Sequence, residues 1–205
     1  STNIFDTYYI VLNSVANDQQ TIFEACQKFY SNLQTTIQHN HCIVKSQKKE
    51  INKIHIGYVS GDFNKSHPLH FFIQGILQHH DKNTFEVTCY STSEKIDTFT
   101  DKVRTQVSHW KNIVDLTDDE AMQCIQSDAV DILVDLSKNT KNNRLSLFAR
   151  KPAQIQVTWL GFLNTTGISS IDYILCNRWL VTPEDIKYCS EKPWHLDGPS
   201  TFFWN

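Results

Sequence analysis

The stretch Ile54-His55-Ile56-Gly57-Tyr58-Val59, running on through Ser60-Gly61-Asp62-Phe63-Asn64-Lys65-Ser66-His67-Pro68 into Leu69, decides the fold. Its first half is rich in β-branched and aromatic residues and predicts a strand, which the polar, glycine-containing loop ends. Pro68 is acceptable in the first turn of a helix, and residues 69–78 carry helical apolar spacing. Phe85-Glu86-Val87-Thr88-Cys89-Tyr90 then reads as the next strand. A strand, a helix and a strand in this order form a crossover unit with parallel strands.

The pattern repeats toward the C-terminus. Residues 96–107 read as helix, 110–114 as extended chain, and 118–127 as helix with acidic residues suited to the N-terminal dipole. Residues 130–135 read as a strand buried on both faces. A short helix over 143–150 ends at Lys151-Pro152. Strands follow over 153–159 and 171–176. This alternation predicts an α/β fold, a doubly wound Rossmann-like parallel sheet with helices on both sides. No G-x-G-x-x-G follows the first strand. Toward the N-terminus, residues 1–38 read as helical, with Ile22, Cys26, Phe29, Leu33 and Ile37 on one face and Asn17 or Asp18 as N-cap. Residues 39–52 read as a polar linker. The expected organisation is therefore a helical connector and linker over 1–52 and a Rossmann-like lobe over 53–205.

Composition narrows the function. Nineteen basic against 22 acidic residues give a net charge of −3, and no basic stripe points to nucleic acid. No apolar run is long enough to cross a membrane, and no leader pattern opens the chain, so a cytoplasmic location is expected. The six cysteines, Cys26, Cys42, Cys89, Cys124, Cys176 and Cys189, are scattered without a C-x-x-C pair and read as reduced thiols. His39, His41 and the pair His79-His80 lack further ligands at a suitable spacing, so no metal is expected. His109-Trp110 and Trp194-His195 read as packing.

In a doubly wound sheet, ligands bind beyond the carboxyl ends of the strands. The loop from Ser60 to Pro68 places His67 at a helix entrance, as a general base, a donor to an anionic group, or a helix cap. The loop from Asp135 to Arg144 is polar and carries Lys138, Lys141 and Arg144 into a helix N-terminus, which suits an anion or a solvated surface. The loop from Leu160 to Gly167 has two glycines and the adjacent hydroxyls of Thr165 and Thr166, so its backbone can approach a ligand or form a plain turn.

Together these segments resemble the O-linked N-acetylglucosamine transferase family, most closely its bacterial tetratricopeptide-repeat members. The resemblance rests on Gly57-Tyr58-Val59-Ser60-Gly61-Asp62-Phe63 with His67-Pro68, on Asp131 to Ser137, and on Phe148-Ala149-Arg150-Lys151-Pro152-Ala153-Gln154-Ile155-Gln156-Val157-Thr158-Trp159-Leu160-Gly161, continued by Thr165-Thr166-Gly167. It implies the first lobe of a GT-B glycosyltransferase and inverting transfer of N-acetylglucosamine from UDP-GlcNAc to Ser or Thr hydroxyls of a protein or peptide acceptor, without a metal or other cofactor. It implies that His67 lies beside the reacting groups and that Leu69, Leu160 and Gly161 lie along the sugar. It further assigns substrate contacts to Asn139, Thr140, Lys141, Arg144, Leu163, Thr165 and Thr166. A second lobe, outside this chain, is expected to bring most contacts to uridine and diphosphate.

Departures from the family pattern are also visible. Lys138-Asn139-Thr140 stands where Gly-His-Thr or Gly-Tyr-Thr is usual, and Phe162-Leu163-Asn164-Thr165 where Tyr-Pro-Gly-Thr is usual. These changes leave open a second reading, a non-catalytic interaction module derived from the family.

Overall fold

The computed structural model describes residues 2–16, 18–36, 53–161 and 164–197. Its frame is one all-parallel sheet. The strands are β1 (Ile54–Ser60), β2 (Phe85–Ser91), β3 (His109–Asn112), β4 (Ile132–Asp135), β5 (Ile155–Thr158), β6 (Tyr173–Cys176) and β7 (Lys192–His195). They are ordered β3-β2-β1-β4-β5-β6-β7. The order reverses between β1 and β4, the switch point at which crevices open in doubly wound sheets. The expected α/β class and Rossmann-like architecture are what the chain adopts.

The helices are α1 (Thr2–Val15), α2 (Gln19–Thr36), α3 (Leu69–His79), α4 (Thr98–Gln106), α5 (Asp118–Ser127) and α6 (Leu145–Ala149). They divide between the faces of the sheet. Leu69, Ile73 and Leu77 of α3, with Phe99 and Val103 of α4, pack on one face against Val87, Cys89 and Val134. On the other face α5 and α6 pack with both N-terminal helices: Phe5, Tyr9, Leu12, Ile22, Cys26 and Tyr30 join Val59, Leu133 and Phe148 in one cluster. The helical segment thus shares the core of the lobe. Phe5 stacks on Phe29 with ring centroids 3.8 Å apart and meets the edge of Tyr30 at 5.7 Å. Each such ring pair contributes about 0.5–1.5 kcal/mol beyond the area it buries.

Local chemistry sets the element ends. Asp97 caps α4 by accepting from the Phe99 and Thr100 N–H groups at 2.9 and 3.1 Å, which delays the helix start to Thr98 rather than the expected 96. Thr117 and Glu120 form a capping box on α5, which spans the residues expected of it. The expected helical run over 1–38 is two helices. Asp18 opens the second by accepting from the Thr21 N–H at 2.7 Å, while Asn17 and the linker over 39–52 lie outside the described residues.

Two further differences have physical causes. Trp194-His195, read as packing, belongs to the edge strand β7, Lys192-Pro193-Trp194-His195. The Lys192 and Leu196 N–H groups donate toward β6, to Asp172 and Cys176 carbonyls at 2.9 and 2.8 Å. Pro193 falls on the alternate, open side, where the ladder needs no donor from it. Gly167 lies against α2 with φ at +79°. A Cβ there would come within 2.5 Å of the Cys26 Cβ and 2.7 Å of its carbonyl carbon, so the backbone of this loop touches the helix directly.

Candidate functional site

A cleft of about 330 Å³ opens at the carboxyl ends of β1, β4, β5 and β6. Its walls are mostly apolar, from Leu69, Phe72, Leu136, Trp159, Leu160, Ile174 and Leu180, and its polar side chains are few, His67, Lys138 and Thr140 among them. A largely apolar wall with sparse polar groups is the usual build of a small-molecule site.

His67 reaches the cleft from the loop after β1. Asp97 fixes that loop by accepting from the Lys65 N–H at 2.7 Å, and Asn64 accepts from the Ser66 N–H at 3.2 Å. The imidazole Nδ1 accepts from the Leu69 N–H at 3.3 Å, at the first turn of α3. In the neutral ring that bond leaves the proton on Nε2, so the side chain faces ligands as a donor. The Asp62 carboxylate lies 3.8 Å from Nδ1, placed to stabilise the ring when it takes a second proton. Burial raises the pKa of Asp62, while the charges of His67 and Lys95 act the other way.

The loop after β4 turns on Asp135, which is fully buried and whose pKa burial raises. Its carboxylate accepts from the Ser137 N–H at 3.1 Å, the Lys138 N–H at 3.1 Å and the Thr158 hydroxyl at 2.8 Å. One side chain thereby joins the ends of β4 and β5. Lys138 is 2% exposed, adopts φ of +46°, and donates from Nζ to the Asn164 carbonyl at 3.0 Å. Burial lowers its pKa, opposed by the nearby charges of Glu191 and Asp135. After β5 the chain turns through Leu160 and Gly161 with φ of +64° and +66°. A Cβ on Gly161 would lie 2.9 Å from the Ser137 carbonyl oxygen, so the two loops are in backbone contact.

The residues singled out from sequence fall into groups. His67, Leu69, Thr140, Leu160 and Gly161 meet in the cleft. Asn139 is fully buried on the other side of its loop, where it accepts from the Tyr30 phenol at 2.9 Å. Lys141 is exposed outside the cleft lining. Arg144 points to the face covered by α5, with Nε 3.0 Å from the Asp118 carboxylate and its other nitrogens on the Ile113 and Leu116 carbonyls at 3.0 and 2.9 Å. Thr165 and Thr166 are buried, with both hydroxyls and the Thr166 N–H on the Glu191 carboxylate. Leu163 lies outside the described residues.

Sequence reasoning named Lys138 only as one base of a polar loop, and it missed Trp159 and the wall from β6, Ile174, Leu175, Cys176 and Leu180. Lys138 stands three residues beyond the end of β4, in a loop at the strand carboxyl ends, the one signal that could have marked it. Among the described residues, no three His, Cys, Asp or Glu side chains converge as metal ligands, and no helix is long and apolar enough to cross a membrane.

Comparisons with known proteins bear on this geometry. The profile of Glycosyl transferase family 41 matches residues 24–204. The Arabidopsis thaliana protein named probable UDP-N-acetylglucosamine–peptide N-acetylglucosaminyltransferase SPINDLY is 39% identical over 138 residues, which is 65% of this chain and 15% of that protein. The barley (Hordeum vulgare) protein of the same name is 42% identical over 62% of this chain and 14% of its own length. The Arabidopsis protein named probable UDP-N-acetylglucosamine–peptide N-acetylglucosaminyltransferase SEC is 32% identical over 75% of this chain and 16% of its own. A solved structure of a mutant O-GlcNAc transferase from Thermobaculum terrenum superposes with a TM-score of 0.86 at 30% identity, covering 96% of this chain and 38% of that one. The chain thus spans only a small part of the relatives it matches.

Proposed function

The chain belongs to glycosyl transferase family 41, and from that premise we propose that it is the acceptor-side, first lobe of a protein O-GlcNAc transferase. In this reading the intact protein moves N-acetylglucosamine from UDP-GlcNAc to Ser or Thr hydroxyls of polypeptides, with inversion at the anomeric carbon. The single observation that carries the reading is the meeting of His67, Leu69, Thr140, Leu160 and Gly161 in one cleft at the strand carboxyl ends.

The chemistry is a single displacement. The acceptor oxygen attacks the anomeric carbon from the face opposite UDP, the bond from that carbon to the phosphate oxygen breaks, and its electron pair leaves with the diphosphate. The apolar wall from Leu69, Leu160 and Ile174 excludes water from the sugar, which suppresses hydrolysis. His67, carrying its proton on Nε2, donates to oxygen as negative charge develops near it. The hydroxyl proton leaves to bulk base or to a group brought by the second lobe. That lobe supplies the charge-assisted contacts to the diphosphate.

The test uses the full natural polypeptide with UDP-GlcNAc and an acceptor peptide. Mass spectrometry is expected to find N-acetylhexosamine on Ser or Thr, and NMR to find the β-anomer from the α-linked donor. Absence of transfer overturns the reading, and an α-linked product overturns the inverting mechanism. A cytoplasmic setting and tetratricopeptide repeats elsewhere in the polypeptide belong to the same proposal, and fractionation and sequencing of the natural protein test them.

A further inference from the structure

The loop after β4 and the loop after β5 are held together by a lysine that the reaction scheme does not use. Lys138 is buried, yet it forms part of the cleft lining. Its backbone N–H is anchored on Asp135, and its Nζ reaches across to the Asn164 carbonyl. Between these anchor points the chain carries Leu160 and Gly161, both at positive φ. Lys138 itself is at positive φ, so three residues in left-handed backbone line one cleft. Such residues persist only where their surroundings over-determine them, and they cluster at ligand sites.

The far side of the turn is pinned as well. Thr165 and Thr166, next to Asn164, are bonded to the buried Glu191 carboxylate. Asn164 also donates from its side chain to Asn13 of α1. Asn164 is therefore held from the β4 loop and from α1, the two threonines after it are held by Glu191, and Lys138 supplies the contact nearest the cleft. Burying an amine at this point is costly, and the bond to the Asn164 carbonyl offsets part of that cost.

We propose that Lys138 is a positioning residue that sets the cleft lip at Leu160–Gly161 and thereby the fit of the donor sugar. The proposal rests on the transferase reading, in which the sugar lies along that turn. Replacing the ammonium by an apolar end of similar length leaves the Asn164 carbonyl without this donor and lets the strained turn relax. A group lying on the turn loses its fit. Uridine diphosphate, which lacks the N-acetylglucosamine, keeps its own contacts.

The experiment compares wild-type, Lys138→Met and Lys138→Arg forms of the full natural polypeptide. Lys138→Met is expected to raise KM for UDP-GlcNAc by about tenfold while leaving the inhibition constant of UDP within about twofold, and Lys138→Arg to stay within about threefold of wild type. An equal rise in both constants overturns the proposal, because it makes Lys138 a diphosphate contact. So does a folded Lys138→Met with unchanged KM. If thermal melting shows that Lys138→Met does not fold, Lys138→Gln takes its place: it is expected to raise KM for UDP-GlcNAc with the UDP inhibition constant kept, and a folded Lys138→Gln with both constants unchanged overturns the proposal. A wild-type protein that transfers nothing overturns the transferase reading and the proposal together, and only that outcome touches both.

Discussion

The Tyr30 phenol donates a 2.9 Å hydrogen bond to the Asn139 side-chain oxygen, across 109 positions of sequence. It joins α2 to the loop that carries Lys138 and Thr140 to the cleft. Both residues are buried, so removing the phenolic oxygen leaves the amide without that donor. Tyr30→Phe is expected to cost about 1–2 kcal/mol in urea unfolding. An unchanged midpoint would mean that water replaces the bond.

His67 divides two roles that substitution can separate. His67→Ala in the full polypeptide is expected to lower kcat/KM by about 10²–10³-fold with the melting temperature kept. His67→Gln retains a donor and is expected to recover part of that loss. If Gln is as poor as Ala, donation is not the role, and if Ala keeps full activity, His67 is not a site residue.

Gly161→Ala combines a side chain at φ of +66° with a contact of 2.9 Å to the Ser137 carbonyl oxygen. Neither side can yield without moving the backbone. The expected loss is about 1–3 kcal/mol of stability and a raised KM for the sugar donor. Denaturant titration and steady-state kinetics check the pair.

Asp6 gives the fold a pH dependence of its own. It is buried in α1, and burial raises its pKa from 3.8 to about 6, against a lowering contribution from the Asn143 side chain. A carboxyl group with a raised folded pKa stabilises the fold while protonated, below its unfolded value near 3.8, and loses that contribution as pH rises through about 6. Asp6→Asn removes the ionisation. Allowing for solvent screening, it is expected to stabilise the protein by about 1–2 kcal/mol at pH 7.5 and by nothing measurable at pH 4. A gain of equal size at both pH values would assign the effect to packing.

The 205-residue chain by itself is expected to give no efficient transfer from UDP-GlcNAc. Among the described residues, the basic side chains that line its cleft are His67 and Lys138, and Lys138 is already bonded to the Asn164 carbonyl. A diphosphate leaving group needs several charge-assisted contacts. Robust turnover by the purified chain would refute this and remove the need for a second lobe.

The sheet was readable because its strands carry their own signal. Val130 to Asp135 is apolar apart from Asp131 and the closing Asp135, and the helix over 118–127 brings a capping box and an acidic first turn. The edge strand β7 was not readable, since proline in a four-residue run argues against a strand unless its position at the edge is known. The site was legible where a residue's place follows from its neighbours, as for His67 before Pro68 and for the Leu160-Gly161 turn. It was illegible where long-range partners decide. Arg144 turns away because Asp118 and two carbonyls hold it, and Asn139 because Tyr30 does. Lys138 read as one base of a loop suited to an anion or to solvent, until the fold placed Asn164 within its reach.

The seam where Gly167 meets Cys26 also gives the molecule an internal clock. Cys26 is fully buried against that backbone, and burial pushes its thiol up to about 12. In the docked state neither access nor thiolate is available to an alkylating reagent. The seam has no give, so the thiol reacts only during excursions in which α2 lifts from the lobe. The rate at which Cys26 is alkylated therefore counts those local openings, and counts them separately from the cooperative loss of the sheet.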